Sequence, residues 1–260
     1  MLLPWNKTVQ LVIDAGEVTA RAAFRGTPIV DIVTPVVAME DGFEPYGDIA
    51  GAIRKTIAQL SDQASSPFHA ADVIIADSFV FYDVLAMDAR LLSAADLNRA
   101  AGLGLTDTLG LDAGELTIRC SVQKGGLSVV ACGVPVALLD VIKHEIKAAG
   151  CHLKRLEPAF ADFLNRHRSV ADHRHALIAR LKNQSLMLGL LRDETWQAFA
   201  AERLSSNAWD ELRDCCDAFC SRISVIDYDS LPILFDAEIA DIPAHARARW
   251  HPLASANEIS

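Results

Sequence analysis

Residues 127–158, LSVVACGVPVALLDVIKHEIKAAGCHLKRLEP, constrain the fold most, because their periodicities run strand, helix, strand. Residues 127–134 form a short apolar run between Gly125-Gly126 and Pro135, with the length and β-branched content of a buried strand. Pro135 suits the first turn of a helix, where its fixed φ fits and its missing N–H is not needed. Val136, Leu139, Ile142, Ile146 and Ala149 then recur at three- and four-residue spacing as one apolar stripe. Lys143, His144 and Lys147 fall off it. Gly150 stands where a left-handed C-cap is usual. Residues 151–157 read as the next strand, ended by Pro158. A unit of this kind is expected to make a right-handed crossover in a layered α/β domain.

Upstream, residues 9–13 and 20–24 read as strands paired across Asp14-Ala15-Gly16-Glu17, with a turn at Gly26 and a third extended run at 28–37. After a loop at 41–47, Asp48 is a candidate N-cap for a helix through Leu60, on which Ile49, Ile53, Ile57 and Leu60 repeat at helical spacing. A polar loop at 61–67 leads to a buried strand at 73–76. Residues 77–85, DSFVFYDVL, show no clean period. Ser93, with Asp96 three residues on, is a near capping box that starts a helix. Residues 102–114 read as loop, and 116–122 alternate as a half-exposed strand, turned by Gly125-Gly126 into the strand that follows. Residues 88–149 thus form an α+β unit of their own.

A helix at 159–166 runs into a charged linker, RHRSVADHRH (166–175), the best candidate domain boundary. Beyond it, 176–178, 185–191 and 195–203 read as strands, with a turn at Arg192-Asp193-Glu194. A helix is expected over 207–221, with Leu212, Cys216 and Phe219 on one side, then short strands at 223–226 and 231–235. The tail beyond Asp241 is expected to be weakly ordered.

The formal net charge of −10 argues against nucleic-acid binding and against electrostatic docking on anionic lipid. No run reaches the ~18 apolar residues of a spanning helix, and MLLPWNKTVQ lacks the regions of a signal peptide. A cytoplasmic protein without membrane insertion is expected. Cys120, Cys132 and Cys151 fall in apolar positions, and Cys215, Cys216 and Cys220 crowd one helix without zinc spacing, so all six read as reduced thiols. His144, His152, His167, His173 and His175 are irregularly spaced and read as solvated, as do Asp227, Asp229, Asp236 and Asp241. No G-x-S-x-G elbow is present. Leu2-Leu3-Pro4-Trp5 reads as an apolar segment packed on the domain's edge, with a docking peptide as the alternative.

One motif asks for chemistry. In Ile13-Asp14-Ala15-Gly16-Glu17-Val18-Thr19, a hairpin tip of Asp-x-Gly can bring backbone N–H groups to a phosphate and a carboxylate to Mg²⁺. The same residues also make an ordinary turn. Four stretches in order resemble the cytoplasmic actin-like (ASKHA) proteins of bacterial type IV pilus and type II secretion machines. These include PilM, the cytoplasmic part of GspL, and MshI-type biogenesis proteins. The stretches are 9–25, ADSFVFYDVLAMD (76–88), the run from Leu92 to EPAF (157–160), and ALIARLKNQSLMLGLLRDETWQAFAAERL (176–204).

The resemblance implies an α/β, actin-like (ribonuclease H-like) fold of two unequal lobes. The first lobe would be 1–87 plus 150–170, the inserted α+β subdomain 88–149, and the reduced second lobe 171–260. In relatives that use nucleotide, a second Asp-x-Gly opens the second lobe. Here Ala179 stands where that aspartate is expected, and no glycine follows. The resemblance therefore implies a pseudo-ATPase without cofactor, a scaffold of the pilus or secretion inner-membrane platform. Its partners would be the cytoplasmic tail of a PilN/GspM-like membrane protein or the assembly ATPase, with Phe79, Phe81 and Tyr82 as candidate contacts and homo-oligomers possible in principle. The alternative is a compact ATPase binding Mg·ATP through Asp14, Gly16 and Thr19.

Overall fold

In the computed structural model the described residues are 8–24, 27–36, 46–64, 68–112, 114–167, 173, 175–206, 208–223, 230–237, 243–244 and 246–253. The expectations for residues 2–5, Gly26, most of 41–47, most of the 166–175 linker, 224–226, Asp227, Asp229 and Asp241 lie outside them. In chain order the elements are β1 (Thr8–Ile13), β2 (Glu17–Phe24), β3 (Thr27–Pro35), α1 (Gly47–Gln63), β4 (Ala70–Ile75), a 3-10 turn (Asp77–Phe79), β5 (Phe81–Ala86), α2 (Ala94–Leu109) and β6 (Leu116–Val122). There follow β7 (Ser128–Pro135), α3 (Val136–Ala148), β8 (His152–Pro158), α4 (Ala159–Arg166), β9 (His175–Lys182), β10 (Ser185–Arg192), β11 (Thr195–Arg203), α5 (Trp209–Arg222), β12 (Ile233–Ala237) and β13 (Trp250–Pro252).

The chain forms two compact units, of which the first comprises Met1–Val80, Gly114–Thr117 and Val134–Asp162. Its sheet runs β3-β2-β1-β4-β8, an antiparallel meander continued by two parallel strands. Val9, Leu11 and Ile13 alternate inward on β1, and α1 covers the sheet with Ile49, Ile53, Ile57 and Leu60, as its spacing predicts. Asp48 is not the N-cap. That position is Tyr46, in left-handed backbone (φ 65°), and the Asp48 carboxylate accepts instead from the Ile49 N–H at 2.8 Å. An aspartate in the first turn still meets the positive end of the helix dipole.

The 127–158 unit has the expected elements but not the expected crossover. β7 belongs to a three-stranded sheet, β5-β7-β6, whereas β8 pairs in parallel with β4 of the first sheet. The connection between the parallel neighbours β4 and β8 thus contains β5, α2, β6, β7 and α3. Periodicity fixes what each segment becomes; it carries no information on which sheet a strand joins. On α3 the buried positions are Leu138, Leu139, Ile142, Glu145 and Ile146, and Ala149 is exposed. Gly150 takes the left-handed conformation (φ 76°) just past the helix.

The second unit comprises Phe81–Ala113, Ile118–Gly133 and Phe163–Ser260. Its larger sheet runs β11-β10-β9-β12-β13 and packs α5 over a core of Leu177, Leu188, Leu212, Cys216, Phe219 and Ile233. Two expectations change here. Residues 102–109 are helical, the second half of α2, with Ser93 as the N-cap accepting from the Asp96 N–H. Gly102 and Gly104 do not break it. A Cβ at Gly104 would lie 3.0 Å from Leu85 and one at Gly102 3.5 Å from Ile118, so these glycines let the helix lie close on the sheet. The tail is also ordered where it is described. β13 adds in parallel to β12, and Trp250 is buried edge-on to Trp209 at 4.4 Å between ring centres.

The small sheet is clasped to β11 within this unit. The Gln123 amide accepts from the Trp196 N–H (2.6 Å) and donates to the Trp196 carbonyl (2.9 Å), serving as a strand residue would. Lys124 pairs with Glu194, and Tyr82 lies on Phe199, which lies on Trp196.

Candidate functional site

Ligands of open α/β sheets bind outside the carboxyl ends of the parallel strands. In the first unit that edge is made by the ends of β1, β4 and β8. After β1 the chain turns at Asp14: its N–H donates to the Glu17 carbonyl at 2.9 Å, and its Oδ1 accepts from the Ala15 N–H at 2.6 Å. The Gly16 carbonyl accepts from the Val36 N–H, which ties the tip to the chain beyond β3. Gly16 does not have left-handed backbone, and a Cβ there would meet nothing within 4 Å, so the turn is open above its backbone. Thr19 is half-buried on β2, opposite Val12.

Next to this turn, the Ala76 N–H donates to the Ile13 carbonyl at 2.8 Å and sets Asp77 at the end of β4. Asp77 is buried, and its Oδ1 accepts from the Phe160 N–H at 2.9 Å. That N–H belongs to the first turn of α4, where helical amides lack partners. Asp162, also buried, lies 3.8 Å from the Arg155 guanidinium. Sequence reading missed both carboxylates. The signal for Asp77 was an aspartate directly after a buried strand; 77–85 had no period to place it.

The corresponding turn of the second unit follows β9. Asn183 (φ 50°) and Gln184 (φ 62°) form a two-residue hairpin turn with both residues left-handed. The Gln184 carbonyl accepts from the Leu204 N–H at 2.8 Å, and its amide donates to the Ser205 carbonyl at 3.4 Å.

Of the aromatic candidates, Phe79 is half-buried and edge-on to Tyr46 at 6.2 Å. Tyr82 lies 5.6 Å from Phe199, and Phe81, also half-buried, precedes it on β5. A groove of about 250 Å³ between α1 and α3 has Arg54 bonded through two nitrogens to the buried Glu145 (2.7 and 3.0 Å). Among the described residues no group of three or more His, Cys, Asp or Glu is placed to hold a metal ion. His167 packs on Phe163 at 4.8 Å, and burial pushes its pKa down. Burial raises Cys216 well above the usual thiol range and Cys220 to about 11. Among the described residues no helix is long and apolar enough to cross a membrane.

Neither a family model nor a curated protein matches this sequence. Solved structures do. The cytoplasmic domain of EpsL, an inner-membrane component of the Vibrio cholerae type II secretion system, superposes with a TM-score of 0.55 at 14% identity, covering 96% of this chain and 90% of that one. A chain of a PilM–PilN type IV pilus biogenesis complex gives 0.57 at 15% identity, over 85% and 67%. A Bacteroides thetaiotaomicron protein of actin-like ATPase fold and unknown function gives 0.50 at 6% identity, over 94% and 85%.

The fold is actin-like. Within it, Ala179 sits inside β9, buried between Leu188 of β10 and Phe235 of β12 rather than at the turn. The residue that follows β9 as Asp14 follows β1 is Asn183. Unlike the Asp14 turn of this actin-like chain, the second turn holds neither a carboxylate nor a glycine.

Proposed function

We propose that this chain is a non-catalytic cytoplasmic scaffold of a type IV pilus or type II secretion assembly platform. It holds the cytoplasmic tail of a PilN- or GspM-like membrane protein, or the assembly ATPase. The observation that carries the reading is the likeness along 96% of the chain to the cytoplasmic domain of a secretion component, in a fold whose second turn is Asn183-Gln184. Phosphoryl transfer depends on positioning and charge stabilisation. The residues present do not fit Mg·ATP well. Asp14 already binds its own turn, Asp77 already takes the first-turn amide of α4, and the second turn offers no carboxylate for a metal. On this reading the lobes follow 1–87 plus 150–170 and 171–260, with 88–149 as the insertion that enlarges the binding surface.

One observation favours the ATPase reading: the open backbone above Gly16. Calorimetric titration with Mg·ATP and Mg·ADP separates the two. The scaffold reading expects no heat at millimolar nucleotide and retention of the PilN-type protein or the assembly ATPase from the same organism in pull-downs. Nucleotide binding that disappears in Asp14→Ala, together with no retained component, refutes it.

A further inference from the structure

The three sheets end on β3, β8, β11, β13, β5 and β6. Open strand edges invite pairing with other chains, and folds blunt them. β3 contains Pro28 and ends at Pro35. β8 carries a register shift that skips Lys154, a bulge with a lysine on the edge. β13 has three residues and ends at Pro252. β5 and β11 lie against each other through Tyr82 and Phe199. β6 has no proline, and its one charged residue is Arg119. It is seven residues long, LTIRCSV, without proline or glycine, and among the described residues no strand pairs with its outer side.

The geometry of that edge can be read out. The Gln123 N–H donates to the Ser128 carbonyl at 3.0 Å, toward β7. Backbone groups alternate along a strand, so Ile118, Cys120 and Val122 direct their N–H and C=O groups outward. Ile118 and Cys120 turn their side chains to α2, against Gly102 and Asn98. Arg119, on the opposite face, is the only charged residue of the strand and is exposed. Among the described residues, five of the six exposed large hydrophobics fall within 88–149. Three of these, Val122 (44% exposed), Leu127 (59%) and Leu91 (92%), belong to the end of β6 and the loops beside it. The Ala89 N–H to Gly126 carbonyl and Met87 N–H to Leu127 carbonyl bonds join those loops.

We propose that β6 is the docking edge for an extended segment of a partner protein, which adds as a fourth strand to β5-β7-β6. An acidic residue of that segment lies opposite Arg119, and an apolar one covers Val122, Leu127 and Leu91. Main-chain bonds supply affinity in this mode, and side-chain pockets supply specificity. The charge selects the occupant. A second copy paired about the strand's middle residue would set Arg119 against Arg119, and like charges directly opposite are destabilising. The inference rests on the scaffold reading above and names its surface.

The probe is a synthetic peptide of the cytoplasmic tail of the PilN-type protein from the same organism, followed by fluorescence anisotropy and amide hydrogen exchange on the full chain. Val122→Pro removes an outward N–H without taking a bond from the β7 ladder, which is where a strand tolerates proline. Arg119→Glu reverses the charge and leaves the backbone intact. Binding to the wild type with slowed exchange at 118, 120 and 122, weakened at least tenfold by each substitution, is the expected result. Recovery of Arg119→Glu binding when the peptide's acidic residue is exchanged for lysine adds support. Equal binding to wild type and both variants overturns the β6 site and leaves the scaffold reading standing. No binding to the wild type, when the assembly ATPase also fails to bind, overturns both. A wild-type dimer in light scattering that is lost in Val122→Pro gives the edge to a second copy and overturns the partner assignment.

Discussion

Deleting the Asp77 carboxylate should loosen the junction between β4 and α4. Asp77 is 4% exposed, and the Phe160 N–H that it accepts belongs to a residue only 1% exposed, so water cannot replace it. In Asp77→Ala this amide is left buried without its acceptor, at a cost of about 1–3 kcal/mol. Loss of a helix cap, measured independently, falls at about 0.5–2 kcal/mol. The expected destabilisation is therefore about 2 kcal/mol. Asp77→Asn keeps an oxygen acceptor in place and should lose about half of that, since a charged acceptor contributes about twice a neutral one. Urea unfolding gives the free energy, and hydrogen exchange at residues 159–163 localises it. If Asp77→Ala stays within about 0.5 kcal/mol of wild type and the Phe160 amide exchanges no faster, the carboxylate does not cap α4. The claim that this aspartate is engaged in structure rather than kept for a ligand then fails as well.

Trp250→Ala removes a buried ring that meets Trp209 and Phe235, and should cost about 3–5 kcal/mol in unfolding by urea, with loss of near-ultraviolet dichroism; a change under about 1 kcal/mol would mean that β13 is not part of the core. Cys220 holds its proton to about pH 11 when folded, against an ordinary value of 9.0, so its contribution to stability is whole below pH 9 and is lost as pH rises through 11. Stability should fall over that window less steeply in Cys220→Ala, and an unchanged slope would refute the assignment.

Much of the fold was legible because neighbouring residues carry it. The stripe of α1, the Ser93 cap, the α4 span 159–166 and the β10–β11 hairpin all depend on spacing, caps and turn residues within a few positions. The Asp48 cap failed locally, because Tyr46 two residues earlier takes the left-handed N-cap position; the other failures share a cause in partners distant along the chain. Gly102 and Gly104 look like breakers until Ile118 and Leu85 are set against them. The tail beyond Asp241 reads as weakly ordered until Trp250 meets Trp209. β7 and β8 look like one crossover until their separate sheets are seen. The candidate site follows the same division. The Asp14 turn is local and was read. The Asp77–Phe160 bond joins positions 83 residues apart and was not.

The two hairpins of this chain also explain why the fold does not by itself return an activity. A phosphate loop leaves its amides free and its backbone accessible at the moment a ligand arrives. The Asp14-Ala15-Gly16 tip keeps the space but turns its carboxylate onto the Ala15 amide. The Asn183-Gln184 tip reaches its left-handed backbone without glycine and is bonded on both its carbonyl and its side-chain amide to residues 204 and 205, at the start of the segment that leads to α5. A phosphate near that tip would also meet two side chains that glycine would not have. The β9–β10 turn is thus closed on its own carbonyl and amide, whereas the Asp14 turn stays open above Gly16, and the two tips differ in what they offer a ligand although they hold corresponding places in the fold.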